Sequence, residues 1–270
     1  PRAPGMKYRH YAPKAPVTVV TGGAKASARY LLTHAAENAG IICFDEFVPI
    51  FEGHIVHPLG ASGDKRAQAQ HVFDALRTFD ETNVAEIWAQ CPDSKGVGLA
   101  IGNRPKKAAG FHVEDADDGK IVIGITGGTG AGKTSLLRAL EKEGACVLDC
   151  DAVYHGMLET DEELRSALRS EFGDVIFRAD GSVDVHAIGL IVFQDREKLT
   201  ALDALVKEYV PREVARRMAA ADAELIGLDA IKLMECGLGA ICDATVAVTA
   251  PEEVRVKRIR ARDGITEGYA

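Results

Sequence analysis

The chain contains Ile121-Val122-Ile123-Gly124-Ile125-Thr126-Gly127-Gly128-Thr129-Gly130-Ala131-Gly132-Lys133-Thr134, an apolar run that passes directly into a glycine-rich segment. A short, all-apolar run is typical of a strand that is buried on both faces of a parallel sheet. Residues 135–143 then carry leucines at helical spacing and stop at Gly144. The segment therefore predicts a strand, a tight turn and a helix in direct succession.

The turn from Gly127 to Thr134 satisfies the pattern Gly-x-x-x-x-Gly-Lys-Thr, in the strand-to-helix context that a phosphate-binding loop (P-loop) requires. Glycines let successive backbone N–H groups converge on one anion, and the helix N-terminus adds positive potential. Lys133 would contact the β and γ phosphates of ATP, and the Thr134 hydroxyl would ligate Mg²⁺. ATP and Mg²⁺ are thus the expected cofactors. The predicted nucleotide-binding residues are Gly128, Thr129, Gly130, Ala131, Gly132, Lys133, Thr134 and Ser135.

Acidic residues follow two further apolar runs. Ligands of open α/β sheets bind at the carboxyl ends of the strands, and Asp149 and Asp151 directly follow the predicted strand 145–148. Asp151 is predicted to orient a substrate hydroxyl and accept its proton; a solvated helix start is the alternative for both acids. Asp229, which ends the run 225–229, would support Mg²⁺ or the substrate, or cap a helix.

Arginines recur on one face of a predicted helix near the end of the chain. Arg255, Arg258 and Arg262 follow one another at i, i+3 and i+7 within residues 252–262, after a predicted strand at 244–250. Lys133, Arg258 and Arg262 are the cations predicted to act on the transferred phosphoryl group, whose charge guanidinium groups can stabilise. The alternative for the arginines is a solvated face paired with acids.

The first half of the chain also alternates between predicted strands and helices, which favours an α/β layer structure with a largely parallel sheet. The glycines of residues 21–27 lack a Gly-Lys-Thr step and predict only a tight strand-to-helix turn. The predicted strands are 17–20, 40–44 and 96–101, and the predicted helices are 27–38, 67–78 and 84–90.

Composition and charge limit the classes of function. The net charge is −8, with 13 Lys and Arg against 14 Asp and Glu up to Asp118 and 19 against 26 afterwards. No basic face stands out, so direct binding of nucleic acid is not expected, and no uncharged apolar run reaches the roughly 18–20 residues of a membrane span. The six cysteines form no C-x-x-C pair, as expected of reduced thiols in a cytoplasmic protein.

The second half resembles dephospho-CoA kinase, which transfers phosphate from ATP to the ribose 3′-hydroxyl of dephospho-CoA. The resemblance implies that Asp151 contacts this hydroxyl and that Arg258 and Arg262 lie at the entry to a lid. It is carried by 124–134, Val147-Leu148-Asp149-Cys150-Asp151, Phe172-Gly173, Asp180-Gly181-Ser182-Val183-Asp184, Val192-Phe193, Glu235-Cys236-Gly237-Leu238 and 258–264.

Three features depart from that family's pattern. The segment 229–235 reads Asp-Ala-Ile-Lys-Leu-Met-Glu where Asp-x-Pro-Leu-Leu-x-Glu is usual, and Lys207 stands where a His is common. The sequence ends at Ala270, where the family continues through the lid and a final helix, so the adenine-side contacts and most of the lid are expected to be absent. Because the sequence also begins with Pro1 rather than Met, we expect both ends to be cut.

The first half resembles the C-terminal accessory domain of threonylcarbamoyl-AMP synthase, a tRNA-modification enzyme, on Phe73-Asp74-Ala75-Leu76-Arg77 and Leu99-Ala100-Ile101-Gly102-Asn103-Arg104. Residues 3–13 resemble that enzyme's interdomain linker. The resemblance implies that Lys7, Arg9, His10 and Tyr11 would contact substrate only beside a catalytic domain, with which this part could associate.

These observations predict two domains in an α/β chain. A linker remnant (1–15) precedes a Rossmann-like accessory domain (16–113), and an acidic linker (114–119) leads to a P-loop kinase domain (120–270) with a parallel sheet flanked by helices. The expected small-molecule substrate is dephospho-CoA. Two alternatives stay open, namely a non-catalytic accessory chain and a P-loop kinase with another acceptor, such as a nucleoside or shikimate.

Overall fold

The computed structural model describes residues 13–91 and 112–263. The chain divides into two compact units, Pro1–Asp118 and Gly119–Ala270. Each unit contains a parallel sheet accompanied by helices, which confirms the predicted α/β class. The predicted strand 96–101 and the side chains of Lys7, Arg9, His10 and Tyr11 lie outside the described residues.

The described strands of the first unit form one five-stranded sheet in which all neighbours are parallel. The sheet contains β1 (Val17–Thr21), β2 (Gly40–Cys43), β3 (Ile55–Pro58), β4 (Ile87–Gln90) and β5 (Val113–Asp115), and its order is β3-β2-β4-β1-β5. The helices are α1 (Ala24–His34) and α2 (Lys65–Thr78), with 3₁₀ turns at Asp45–Phe51 and Phe79–Glu81. The turn predicted at 21–27 joins β1 to α1.

The prediction of a helix at 84–90 was wrong, because the structure has strand β4 there. β4 lies between β1 and β2, and all four of its residues are buried. A short apolar run buried on both faces cannot be distinguished from a buried helical segment by its periodicity alone. The polar end of the strand is also internal, since the Gln90 amide donates hydrogen bonds to the Ala24 carbonyl and the Ser27 hydroxyl, both at 2.9 Å.

The acidic segment at the predicted boundary begins inside the first sheet. Glu114 and Asp115 belong to β5 and lie opposite Val20 and Thr21 of β1. The Thr21 hydroxyl donates to the Glu114 carbonyl at 3.0 Å. Charged side chains are typical of an edge strand, where they discourage pairing with another chain, so a run of acids does not by itself indicate a linker.

The second unit contains a four-stranded parallel sheet in the order β7-β8-β6-β9. The strands are β6 (Ile121–Thr126), β7 (Cys146–Asp149), β8 (Leu225–Asp229) and β9 (Ala244–Ala247). The helices are α3 (Lys133–Lys142), α4 (Cys150–Thr160), α5 (Glu162–Phe172), α6 (Val185–Gln194), α7 (Arg196–Ala220) and α8 (Glu252–Asp263), and 3₁₀ turns cover Asp174–Ile176 and Leu238–Ile241.

The order of this sheet brings the chemically active segments to one edge. β8 lies between β6 and β7, with Asp229 opposite both Ile125 and Asp149. α3 packs against β7 and β8, and α4, α5 and α6 pack against the long helix α7. The loop after β6 and the acids after β7 and β8 therefore meet at the carboxyl end of the sheet, where α/β folds bind their ligands. Among the described helices, none combines the length and hydropathy that crossing a bilayer requires.

Candidate phosphate-binding and catalytic site

The glycine-rich loop joins β6 to α3 through backbone conformations that favour glycine. The φ angles are +146° at Gly127, +75° at Gly130 and +113° at Gly132, values that L-residues with a Cβ rarely adopt. Gly132 precedes α3 without a side-chain cap, and the first turn of α3 holds no acidic residue. The N-terminus of α3 thus keeps the positive potential that a bound phosphate would need.

Gly127 has a second constraint besides its φ angle. A Cβ at this position would lie 2.3 Å from the Val248 carbonyl oxygen. We expect Gly127→Ala to destabilise the second unit by more than the roughly 1–3 kcal/mol that a strained φ alone costs, because backbone must also move. The measurement is thermal unfolding followed by circular dichroism, together with ATP binding by calorimetry.

Gly144→Ala is the matched control, because Gly144 also has a positive φ, +89°, but no atom lies within 4 Å of the added Cβ. Gly144→Ala should lose only the stability that the strained φ angle costs, without a steric clash with the backbone. It should leave ATP binding unchanged. Equal losses of stability in the two variants would contradict the importance of the Val248 contact.

The loop borders a cleft of about 420 Å³, here called the phosphate cleft. The Lys133 ammonium lies across the loop and donates to the Gly127 carbonyl at 2.9 Å. Asp149, Asp151, Asp229 and Arg258 complete the polar lining together with residues 128–134. The structure therefore brings together the predicted residues Gly128 to Thr134, whereas Ser135 lies just beyond the lining of the cleft.

The two acids after β7 have different environments. Asp149 caps α4, since its Oδ1 accepts hydrogen bonds from the backbone N–H groups of Asp151 at 2.9 Å and Ala152 at 3.1 Å. Asp151 lies in the first turn of α4 and is exposed. Within the described part of the chain, its carboxylate has no hydrogen bond or ion pair. The helix-start alternative therefore holds for Asp149, and Asp151 is the carboxylate available to a ligand.

Asp229 carries a buried polar atom without a partner. Its Oδ1 makes no hydrogen bond within the described residues, and Asp229 caps none of the described helices. Burial raises the pKa of this carboxyl, the positive charge of Lys133 lowers it, and the charges of Asp149 and Asp151 raise it. An additional cation at this position would therefore favour the ionised carboxylate.

The arginines of α8 bind the loop itself. Arg255 Nε donates to the Thr129 carbonyl at 3.0 Å, and Arg258 Nη1 donates to the carbonyls of Gly130 and Ala131, both at 3.0 Å. These contacts connect α8 to the predicted phosphate site rather than to neighbouring acids. Arg262 lies on α8, but its side chain is outside the described part of the chain.

A second cavity, of about 460 Å³, adjoins the phosphate cleft and was not predicted from the sequence. It shares Asp151, Ala230 and Ile231 with the cleft. Burial raises the pKa of Tyr154, which also lines it, to about 12, so this hydroxyl remains protonated at neutral pH. The remaining lining residues are Cys150, Asp203, Val206, Lys207, Val210, Pro211, Lys232, Glu235, Cys236 and Leu238.

The sequence held little signal for this cavity. Its wall combines α4, α7 and the turn after β8, which are far apart along the chain, and apolar residues such as Val206 and Val210 are indistinguishable from core positions. The wall does include features already noted in the sequence, namely Asp151, Lys207 and residues of the segment 229–238, but none of them indicates a cavity by itself.

The parallel sheet and the glycine loop between β6 and α3 define the second unit as a P-loop protein of the nucleotide-binding class. The family described as dephospho-CoA kinase matches residues 121–270, more than half of the chain. The chain belongs to the dephospho-CoA kinase family, a family of ATP-using transferases. The family described as threonylcarbamoyl-AMP synthase, C-terminal domain, matches residues 1–110. Both resemblances are thereby confirmed.

Two curated relatives and one solved structure are similar to the second unit. The dephospho-CoA kinase of Thermobifida fusca is 34% identical over 146 residues, which cover 54% of this chain and 73% of that protein. The dephospho-CoA kinase of Anaeromyxobacter dehalogenans is 36% identical over 147 residues, covering 53% and 70%. A crystal structure of a protein from Thermus thermophilus has 35% identity, covers 56% of this chain and 76% of its own, and has a TM-score of 0.49.

Proposed function

We propose that the second unit phosphorylates the 3′-hydroxyl of dephospho-CoA with ATP to give coenzyme A. The observation that carries this proposal is the position of Asp151, which lines both the phosphate cleft and the second cavity. A carboxylate between two adjoining sites is suited to a transfer in which the donor occupies one site and the acceptor the other.

ATP would occupy the phosphate cleft with its β and γ phosphates on the loop. The backbone N–H groups of 128–134 and the N-terminus of α3 would hold phosphate oxygens. When ATP binds, the Lys133 ammonium would leave its hydrogen bond to the Gly127 carbonyl and contact the phosphate oxygens instead. Arg258, which is already held beside the loop by two carbonyls, would stabilise charge on the transferred group, as would Arg262.

The residues present fit a Mg²⁺ ion beside the loop. The exposed Thr134 hydroxyl lines the cleft, and Asp229 offers a buried oxygen without a partner in the described chain; oxygen ligands of this kind are what Mg²⁺ prefers. Thr134 would hold the ion directly and Asp229 would support it. The bound ion would supply neutralisation of charge on the β and γ phosphates.

Asp151 would act on the acceptor. Its carboxylate would accept a hydrogen bond from the 3′-hydroxyl and orient an oxygen lone pair toward the γ phosphorus. It would take the proton as the new P–O bond forms and the bond from the γ phosphorus to the β-γ bridging oxygen breaks, which releases ADP. Asp149 is held at the helix cap and would contribute charge rather than proton transfer. The largely apolar second cavity would hold the acceptor and exclude water, which would otherwise compete as nucleophile.

Turnover with matched acceptors tests the proposed function. ATP consumption and product formation should be measured with dephospho-CoA, adenosine and pantetheine. We expect dephospho-CoA to be the preferred acceptor and coenzyme A to be the product. No acceptor-dependent turnover, from a chain extended to the full length of its relatives, would overturn the assignment.

The match of residues 1–110 to the accessory domain of threonylcarbamoyl-AMP synthase favours a second function for the first unit. We propose that this unit associates with the catalytic domain of such a synthase, in the cytoplasm, where the six free thiols of the chain would stay reduced. A pull-down with a separately supplied catalytic domain should recover the complex. The absence of association would contradict this proposal and leave the kinase assignment unaffected.

A further inference from the structure

Lys207 is a cation on the wall of the second cavity. It lies on α7 and is half-buried. Within the described residues its ammonium group forms no salt bridge and no hydrogen bond. Removing part of an ammonium ion from water without a compensating partner costs free energy, so the cavity contains a positive charge that an anionic ligand would stabilise.

Other lysines nearby have their charge satisfied. Lys232 lines the same cavity but is exposed and pairs with Asp203 at 3.2 Å. Lys198, also on α7, pairs with Glu171 at 2.8 Å. Lys207 thus differs from both in having no carboxylate partner within the described residues.

The neighbours of Lys207 inside the cavity do not neutralise it. Burial raises the pKa values of the Cys236 and Cys150 thiols, and the nearby charge of Lys207 lowers the pKa of Cys236 only in part. Both thiols therefore stay neutral at pH 7. Three carboxylates also line the cavity: Asp203 pairs with Lys232 at 3.2 Å, and Glu235 and Asp151 are exposed. None of the three forms a salt bridge with Lys207 in the described structure.

We propose that the Lys207 ammonium binds the 5′-diphosphate of the acceptor nucleotide. This inference rests on the proposed function: if the 3′-hydroxyl lies at Asp151, the diphosphate on the same ribose extends into the same cavity, where Lys207 lies. Two phosphate groups would offer oxygen acceptors to the Lys207 ammonium, which has no carboxylate partner within the described residues. The contact selects an acceptor that carries a 5′-diphosphate over a nucleoside that carries none.

Binding and turnover of two acceptors test this contact. In Lys207→Met, a neutral side chain of similar length, the Kd and KM for dephospho-CoA should rise by about tenfold, which corresponds to the loss of a charge-assisted hydrogen bond. The Kd and KM for adenosine, which has no diphosphate, should stay as in the wild type. The KM for ATP should also be unchanged. Lys207→Arg should restore most of the affinity, and higher salt should reduce the difference between wild type and Lys207→Met.

Lys198→Met is the matched control, because it makes the same substitution on the same helix away from both cavities. Equal weakening of dephospho-CoA and adenosine in Lys207→Met would show a structural role and overturn the proposal, as would an unchanged affinity for dephospho-CoA. Calorimetry with the wild type separates the Lys207 proposal from the proposed function. Tight binding of dephospho-CoA without turnover would contradict the proposed function alone, whereas no binding would contradict both.

Discussion

Asp151→Asn should lower kcat with dephospho-CoA by about 10²–10⁴-fold, the range that a positioned general base contributes. Asparagine keeps the size of the side chain and can still bind the 3′-hydroxyl, but it cannot accept the proton. The KM for ATP should change little, because the loop, Lys133 and Arg258 would hold the nucleotide. Steady-state kinetics with each substrate varied in turn measure this separation.

The fold itself should tolerate this substitution. The cap of α4 is Asp149, which accepts both N-terminal hydrogen bonds, and Asp151 contributes only a favourable charge in the first turn. That charge is worth about 0.3–1 kcal/mol, too little to unfold the unit. A large loss of kcat with a nearly unchanged circular dichroism spectrum and melting curve is therefore expected.

Asp149→Asn is the informative comparison, since asparagine caps helices about as well as aspartate. Both variants remove one negative charge next to the loop, but only Asp151 faces both cavities. A smaller loss of kcat in Asp149→Asn would support the assignment of the base to Asp151. Equal losses in the two variants would instead indicate that the charge of the pair, rather than proton transfer to Asp151, accounts for the effect.

The sequence predicted the strand, glycine loop and helix of residues 121–142 well because local signals there agree. Each part of this segment is compatible with one structure: a buried strand for the apolar run of β6, a tight turn for the glycines and a helix for the spaced leucines of α3. Their order along the chain is the strand-loop-helix arrangement that a P-loop requires. β4 was predicted wrongly because four buried residues carry no period that separates strand from helix. The acidic β5 was predicted as linker because charge on an edge strand resembles charge on a solvated turn.

The site shows the same division between local and tertiary information. The sequence placed Asp149 and Asp151 at a strand end, but only the start of α4 shows that one is the cap and the other is available. Arg255 was left out of the predicted site residues, yet it bonds the loop as closely as Arg258 does. The second cavity depends on how α7 packs across α4, which no short segment encodes.

Lys133→Met should raise the KM for ATP and lower kcat by about 10²–10³-fold, comparable to the loss of one electrostatic contact to a transition state. Methionine fills a similar volume but carries no charge for the β and γ phosphates. Lys142→Met, at the exposed end of the same helix, is the control and should behave as the wild type. Unchanged ATP binding in Lys133→Met would show that the loop is not the phosphate site.

Lys133→Met should also make the stability of the second unit more dependent on pH, because it changes the pKa of Asp229. Burial raises the pKa of Asp229 in the folded protein, and Lys133 opposes this shift. A carboxyl with a raised pKa binds its proton more tightly in the folded than in the unfolded state. The free energy of unfolding therefore falls as the pH rises from the pKa of Asp229 in the unfolded state to the higher pKa in the folded state. Without the charge of Lys133 the pKa of Asp229 in the folded protein rises further, so the pH interval over which stability falls becomes wider.

Lys133→Met should therefore lose little stability at acidic pH, where Asp229 is protonated in both states, and more at neutral pH. The single tryptophan, Trp88, lies in β4 of the first unit, so its fluorescence does not monitor this unfolding. Amide hydrogen exchange of β6 and β8 in increasing denaturant reports on the second unit directly. A destabilisation that is the same at both pH values would mean that Lys133 acts through its bond to the Gly127 carbonyl and not through the charge of Asp229.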